Sequence, residues 1–134
     1  MFLGRYITYF TGKNRVVLPK KFRQELGNET HFYLIQGQDG EIWGFRNAEW
    51  QKEAEVRLSL SISDAEGRKA RRSFFALAEE CQLDSQGRFI ISQELVTYAG
   101  ISKQSFSANN EILMVGAGDH FEIWNNDNFN KLML

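Results

Sequence analysis

The sequence predicts a mainly β chain with short helices, folded as one pseudo-symmetric domain, and three observations lead there. First, the segment from Thr11 to Gly27 (TGKNRVVLPKKFRQELG) recurs from Asp84 to Gly100 (DSQGRFIISQELVTYAG) at an offset of 73, which also sets Phe10 on Leu83, Leu18 on Ile91 and Phe22 on Leu95. Second, short β-branched and aromatic runs alternate with glycine-bearing turns. Third, helical spacing is sustained only in the middle of the chain. A strand, a turn and a stub of helix cannot bury their own apolar face. The two copies are therefore expected to share one core in a single domain over 1–134, with repeat one at 1–50, a helical linker at 51–77 and repeat two at 78–134.

Taken in order, Arg5 to Phe10 alternates as a strand, and Thr11 to Asn14 is a turn in which Gly12 and Asn14 can take positive φ. Val16 to Leu18 continues as a second strand. Pro19 suits the first helical position, Phe22 and Leu26 form an i, i+4 pair, and Gly27 stops the helix. His31 to Ile35 and Glu41 to Phe45 form a hairpin around Gly37 to Gly40, with Trp43 toward the core. Trp50, Ala54 and Leu58 share one helical face. Ser63 with Glu66 has capping-box spacing before a helix carrying Ala70, Phe74 and Leu77. In repeat two, a strand from Ala78 to Leu83, the Asp84 to Gly87 turn and a strand from Arg88 to Ile91 follow, and Ser92 replaces Pro19 and can cap. Setting Trp124 on Trp43 moves the offset to 81, so an eight-residue insertion is expected around Ser102 to Asn110.

The composition, 43% hydrophobic with 13% aromatic, suffices for a packed core and excludes disorder as the default. The lone Cys81 excludes an internal disulfide and fits a reducing compartment. No apolar run approaches a membrane span and no secretory signal opens the chain, so a cytoplasmic protein is expected. Net charge is −1 but uneven. Residues 1–26 hold six cations against Glu25, a net +5, whereas residues 79–134 hold three cations against eight carboxylates, a net −5. Such asymmetry points to an anionic partner at one end. His31 and His120 are isolated, without metal-ligand spacing, and no nucleophile elbow, phosphate-cradling glycine loop or H-E-x-x-H occurs. No enzyme, metal or other cofactor is expected.

The stretches MFLG, K-x-R-x-x-LPKKFR, D-x-Q-G-R and GDHFEIW resemble those of MraZ proteins over nearly the whole chain. The resemblance implies a double-split β-barrel built from two tandem AbrB-like swapped-hairpin repeats. It implies an oligomeric bacterial transcription regulator, associated with the nucleoid, that binds direct repeats in double-stranded DNA upstream of its own division and cell-wall operon and represses it. The family motif D-x-x-x-R carries over onto Asp84 and Arg88. In repeat one it is partial, since Thr11 stands where the aspartate precedes Arg15, and Lys13-Asn14-Arg15 replaces K-G-R. Arg5 stands where the family carries an acidic residue.

The candidate DNA-binding residues are Arg5, Lys13, Asn14, Arg15, Lys20, Lys21, Arg23, Gln86 and Arg88, with Thr11 and Asp84 as structural members of the motif. A guanidinium on a turn suits phosphates or a guanine edge. Arg15 has no aspartate beside it and is surrounded by cations, whereas Arg88 can equally serve as a structural partner of Asp84. The run from Arg68 to Arg72 is expected to pair with Glu49, Glu53 and Glu55 instead of DNA. The aromatic residues sit at core spacing. No membrane or small-molecule substrate is expected. A competing reading, allowed by the overall acidity, is an antitoxin-like or scaffolding oligomer that holds a protein partner.

Overall fold

The structure, a computed structural model, describes residues 1–101 and 111–133. The expected insertion around Ser102 to Asn110 lies outside them. The elements are β1 (Arg5–Thr8), β2 (Phe10–Gly12), β3 (Arg15–Val17), α1 (Lys20–Leu26), β4 (His31–Gln36), β5 (Ile42–Phe45), α2 (Asn47–Leu58), α3 (Ala65–Phe75), β6 (Glu79–Gln82), β7 (Arg88–Ile90), α4 (Gln93–Ala99), β8 (Ile112–Gly116), β9 (Phe121–Asn125) and α5 (Asn126–Met133). The chain is mainly β with short helices, as the residues predict.

The strands form a six-stranded sheet in the order β1-β8-β9-β5-β4-β6 and a three-stranded sheet in the order β2-β3-β7. The copies exchange strands. β1 of repeat one pairs with β8 of repeat two, and β6 of repeat two pairs with β4 of repeat one. Each sheet pairs equivalent residues of the two copies: Ile42 stands opposite Ile123, 81 positions on, and Val16 opposite Phe89, 73 positions on. Main-chain bonds repeat the relation. The Leu18 amide donates to the Gly87 carbonyl at 2.9 Å, and the Ile91 amide donates to that of Asn14 at 2.8 Å.

The main core draws on both copies, with Val16, Leu18, Phe22, Phe32 and Leu34 packed against Ile91, Leu95, Ile112, Phe121 and Ile123. Phe121 lies at its centre, its ring centroid 5.4 Å from Phe2, 5.5 Å from Phe22 and 5.8 Å from Phe32. Burying each such ring contributes about 2 kcal/mol. On the other side of the large sheet, α2 and α3 cover Ile35 and Phe45, with Trp50 stacked between Tyr33 and Phe74. A third cluster joins Leu113, Trp124 and Phe129 of α5.

Several local expectations need correction. Pro19 is the N-cap of α1, not its first helical residue. Its ψ of 143° turns the chain out of β3 while its carbonyl accepts from the amides of Phe22 and Arg23. The cap of α3 is Asp64, whose carboxylate accepts from the Gly67 amide, and not Ser63. Gly12 keeps an ordinary φ; Asn14 alone supplies the positive φ of its turn, at 57°. Trp43 is half-buried and packs beside the α2–α3 cluster, not in the main core. Leu58 ends α2 beyond the helix contact and is exposed. Ser92 caps α4 as expected, accepting from the Leu95 amide at 3.3 Å.

Candidate nucleic-acid interface

Alternation along the small sheet builds the site. Val16 and Phe89 point into the core, so Arg15, Val17, Arg88 and Ile90 share the outer face. Arg15 stands opposite Ile90, and Arg88 opposite Val17. This sets the two arginines diagonally across the strand pair, roughly 7 Å apart at Cβ. Ile90 between them is 63% exposed.

The arginines are held differently. Asp84 organises the turn of repeat two: its Oδ1 accepts from the amides of Gln86 at 2.8 Å and Arg88 at 2.9 Å, and its Oδ2 from Arg88 Nε at 2.7 Å. The Arg88 amide above all, with its side chain and the Gln86 amide, holds the Asp84 carboxyl below the usual range. In repeat one Arg15 is not left without a local partner, contrary to expectation. Its Nη2 donates to the Thr11 carbonyl at 2.9 Å and its Nε to the Thr11 hydroxyl at 3.3 Å, because a main-chain oxygen serves a guanidinium as an acceptor whatever the side chain. These acceptors are neutral, so Arg15 is held more loosely than Arg88 in its charge-assisted bond.

Lys13 is exposed on the first turn, and the Asn14 side-chain amide donates to Gln93 of α4 at 3.2 Å. Lys20 and Lys21 are exposed at the start of α1, and that helix starts beside the second turn because Leu18 is bonded to Gly87. Arg23 reaches from α1 onto that turn, its Nη1 at 3.5 Å from the carbonyl of the exposed Gln86 and packed over Gly87, where a Cβ would stand 2.3 Å from Nη1. Arg23 thus supports the turn. Lys13, Asn14, Arg15, Arg23, Gln86 and Arg88 gather around the two turns. Arg5 does not join them: it lies on the large sheet with its guanidinium 5.8 Å above the Phe129 ring. Sequence reasoning passed over Gln93, although the offset of 73 sets it on Lys20 and so assigned it a place at the opposite turn.

The run from Arg68 to Arg72 does not pair as expected. Arg46 takes Glu49 and Arg57 takes Glu53, while Arg68 and Arg71 donate to the carbonyls of Ile62 and Leu60. His120 is not isolated either. Its Nδ1 faces Asp119 at 2.8 Å and its Nε2 faces Glu122 at 3.1 Å, the carboxylates one position before it and two positions after it in the sequence. Among the described residues no cluster of His, Cys, Asp and Glu could hold a metal ion, and no helix is long and apolar enough to cross a membrane.

A family model described as "MraZ protein, putative antitoxin-like" matches residues 1–73 and again 74–133. The chain belongs to the MraZ family. The two MraZ matches meet inside α3, so each carries one arginine turn. The chain is similar to the transcriptional regulator MraZ of Caldicellulosiruptor bescii, 38% identical over 133 residues, covering 99% of this chain and 87% of that protein. It is also similar to the transcriptional regulators MraZ of Clostridium acetobutylicum, 36% identical over 95% of this chain and 83% of that protein, and of Limosilactobacillus fermentum, 34% identical over 92% and 80%.

Proposed function

We propose that this MraZ-family chain is a transcription regulator that binds double-stranded DNA with the turn face of its small sheet. The observation that carries this is the placement of Arg15 and Arg88 on one outer face, with Lys13 exposed on the first turn and Lys20 and Lys21 exposed at the start of α1. The names of its relatives support the regulatory role. The strand exchange between the copies supports a single domain and a double-split barrel of swapped hairpins. A patch of about five phosphate contacts is weak at physiological salt, so a homo-oligomer presenting several such faces to direct repeats gains affinity through effective concentration. Bound upstream of its own operon in the cytoplasmic nucleoid, such an assembly represses by occluding the promoter. In a fluorescence-anisotropy titration with that upstream duplex, Arg15→Glu is expected to weaken binding at least about tenfold while the oligomer persists. Unchanged binding sinks the proposal.

One observation favours a second role, a protein-binding, antitoxin-like module. Val56, Leu58, Leu60 and Ile62 are all exposed along the end of α2 and the link to α3. Salt separates the two: DNA affinity falls steeply with added salt, and an apolar protein interface is nearly indifferent.

A further inference from the structure

The duplication supplies an internal comparison at the two turns. In repeat two an oxyanion, the Asp84 carboxylate, is held by the amides of Gln86 and Arg88 and by Arg88 Nε. The equivalent groups 73 positions earlier are the amides of Lys13 and Arg15 and the Arg15 guanidinium. Each turn carries a residue at positive φ in the equivalent place, Asn14 at 57° and Gly87 at 75°. What differs is the acceptor. Thr11 brings a hydroxyl whose bonds run to the Arg15 carbonyl at 3.4 Å and the Arg15 Nε at 3.3 Å, and among the described residues no side chain accepts from the Lys13 amide. The Arg15 amide stands opposite Gly12 at the irregular point of the β2–β3 ladder, so the Lys13 amide and the Arg15 guanidinium are the principal donors.

We propose that these donors take an external phosphate oxyanion, a phosphodiester of a nucleic-acid backbone, in the position that the Asp84 carboxylate fills in repeat two. This deepens the DNA-binding function proposed above and rests on it. Both contacts of the Thr11 hydroxyl lie at the long end of hydrogen bonding, so the hydroxyl can turn, and the guanidinium exchanges its 2.9 Å bond to the neutral Thr11 carbonyl for a charge-assisted one. A phosphate then receives the Lys13 amide, the Thr11 hydroxyl and the Arg15 fork, all from a segment of net positive charge with the Lys13 ammonium exposed beside it. Repeat two cannot do the same, since its own carboxylate already occupies the donors and repels a second anion.

The test uses the full chain with ¹⁵N labelling, titrated first with inorganic phosphate and then with the upstream duplex. Thr11→Asn places a neutral acceptor over the Lys13 amide without changing the charge. Phosphate is expected to shift the Lys13 amide and Arg15 Nε resonances saturably in the wild type, and T11N to weaken both phosphate and duplex binding about tenfold. Shifts that are absent, or that T11N leaves unchanged, overturn the proposal. Duplex binding that T11N leaves intact overturns the site and leaves the DNA function standing. Saturable phosphate shifts without binding to any duplex overturn the nucleic-acid source and the DNA function together, and reassign the site to free phosphate. Should T11N not fold, Thr11→Asp, which restores the arrangement already present at Asp84, is expected to abolish the phosphate shifts, and their survival counts against the site.

Discussion

Gly44→Ala is expected to loosen the core from its centre. In the β5–β9 pairing Gly44 stands opposite Phe121, whose ring lies across the space a side chain would take. A Cβ added there would stand 2.2 Å from Phe121 Cζ and 2.5 and 2.6 Å from the two Cε atoms, where ordinary contact begins at 3.4 Å. The ring must therefore retreat by more than 1 Å. It has no free direction, being fully buried and backed by Phe2, Phe22 and Phe32. Overpacking of this kind costs about 1–3 kcal/mol, offset by roughly 0.5 kcal/mol for replacing glycine within a strand. A net loss of about 1.5 kcal/mol corresponds to a fall in Tm of about 4–8 °C for a domain of this size, read by circular dichroism. Phe121→Leu in the G44A background is expected to cost less than its effect in the wild type, a coupling that a double-mutant cycle measures. A Tm that G44A leaves unchanged, or effects of the two substitutions that simply add, would refute the close-approach explanation.

Two further outcomes concern polar groups. Burial is the largest single influence on His120 and opposes its charge, but the bonds to Glu122 and Asp119 outweigh it and its pKa is raised from 6.5. A raised folded-state pKa gives stability that is present below the unfolded value and lost as pH rises through the folded one. The urea midpoint of the wild type should therefore exceed that of His120→Gln by more at pH 6 than at pH 8.5, and an equal gap at both would remove the charged pair from the account. Ser92→Ala should lower stability by about 1 kcal/mol, since it strips the α4 cap from the Leu95 amide. Chemical denaturation measures this, and no loss would mean that the helix start is held by the main chain alone.

Much of the fold was legible because local chemistry and tertiary packing agree. Of the apolar positions that the offset of 73 superposes, Leu18, Ile91, Phe22 and Leu95 are fully buried, and Phe10 and Leu83 partly so. Gly27 and Gly100 both end helices at positive φ. Part of what linear reading missed depends on partners far along the chain. That β1 pairs with β8, and not within its own repeat, joins residues as distant as Arg5 and Val115, which no local pattern relates. The two arginines were legible as motif members, but their shared outer face follows from the β3–β7 register, which no local pattern encodes. Side chains alone leave Arg15 without a local partner, and the Thr11 carbonyl four residues before it serves instead. The carboxylates flanking His120 are in plain view, one and two positions away, and metal-ligand spacing alone passes over them.

The reciprocal bonds from Leu18 to Gly87 and from Ile91 to Asn14 use only main-chain atoms. A clasp of that kind is indifferent to the charge of the side chains around it. One half of a duplicated chain can drift basic and the other acidic, as residues 1–26 and 79–134 have, without either turn losing its anchor on the other. The joint that makes the halves inseparable is thus what frees them to specialise.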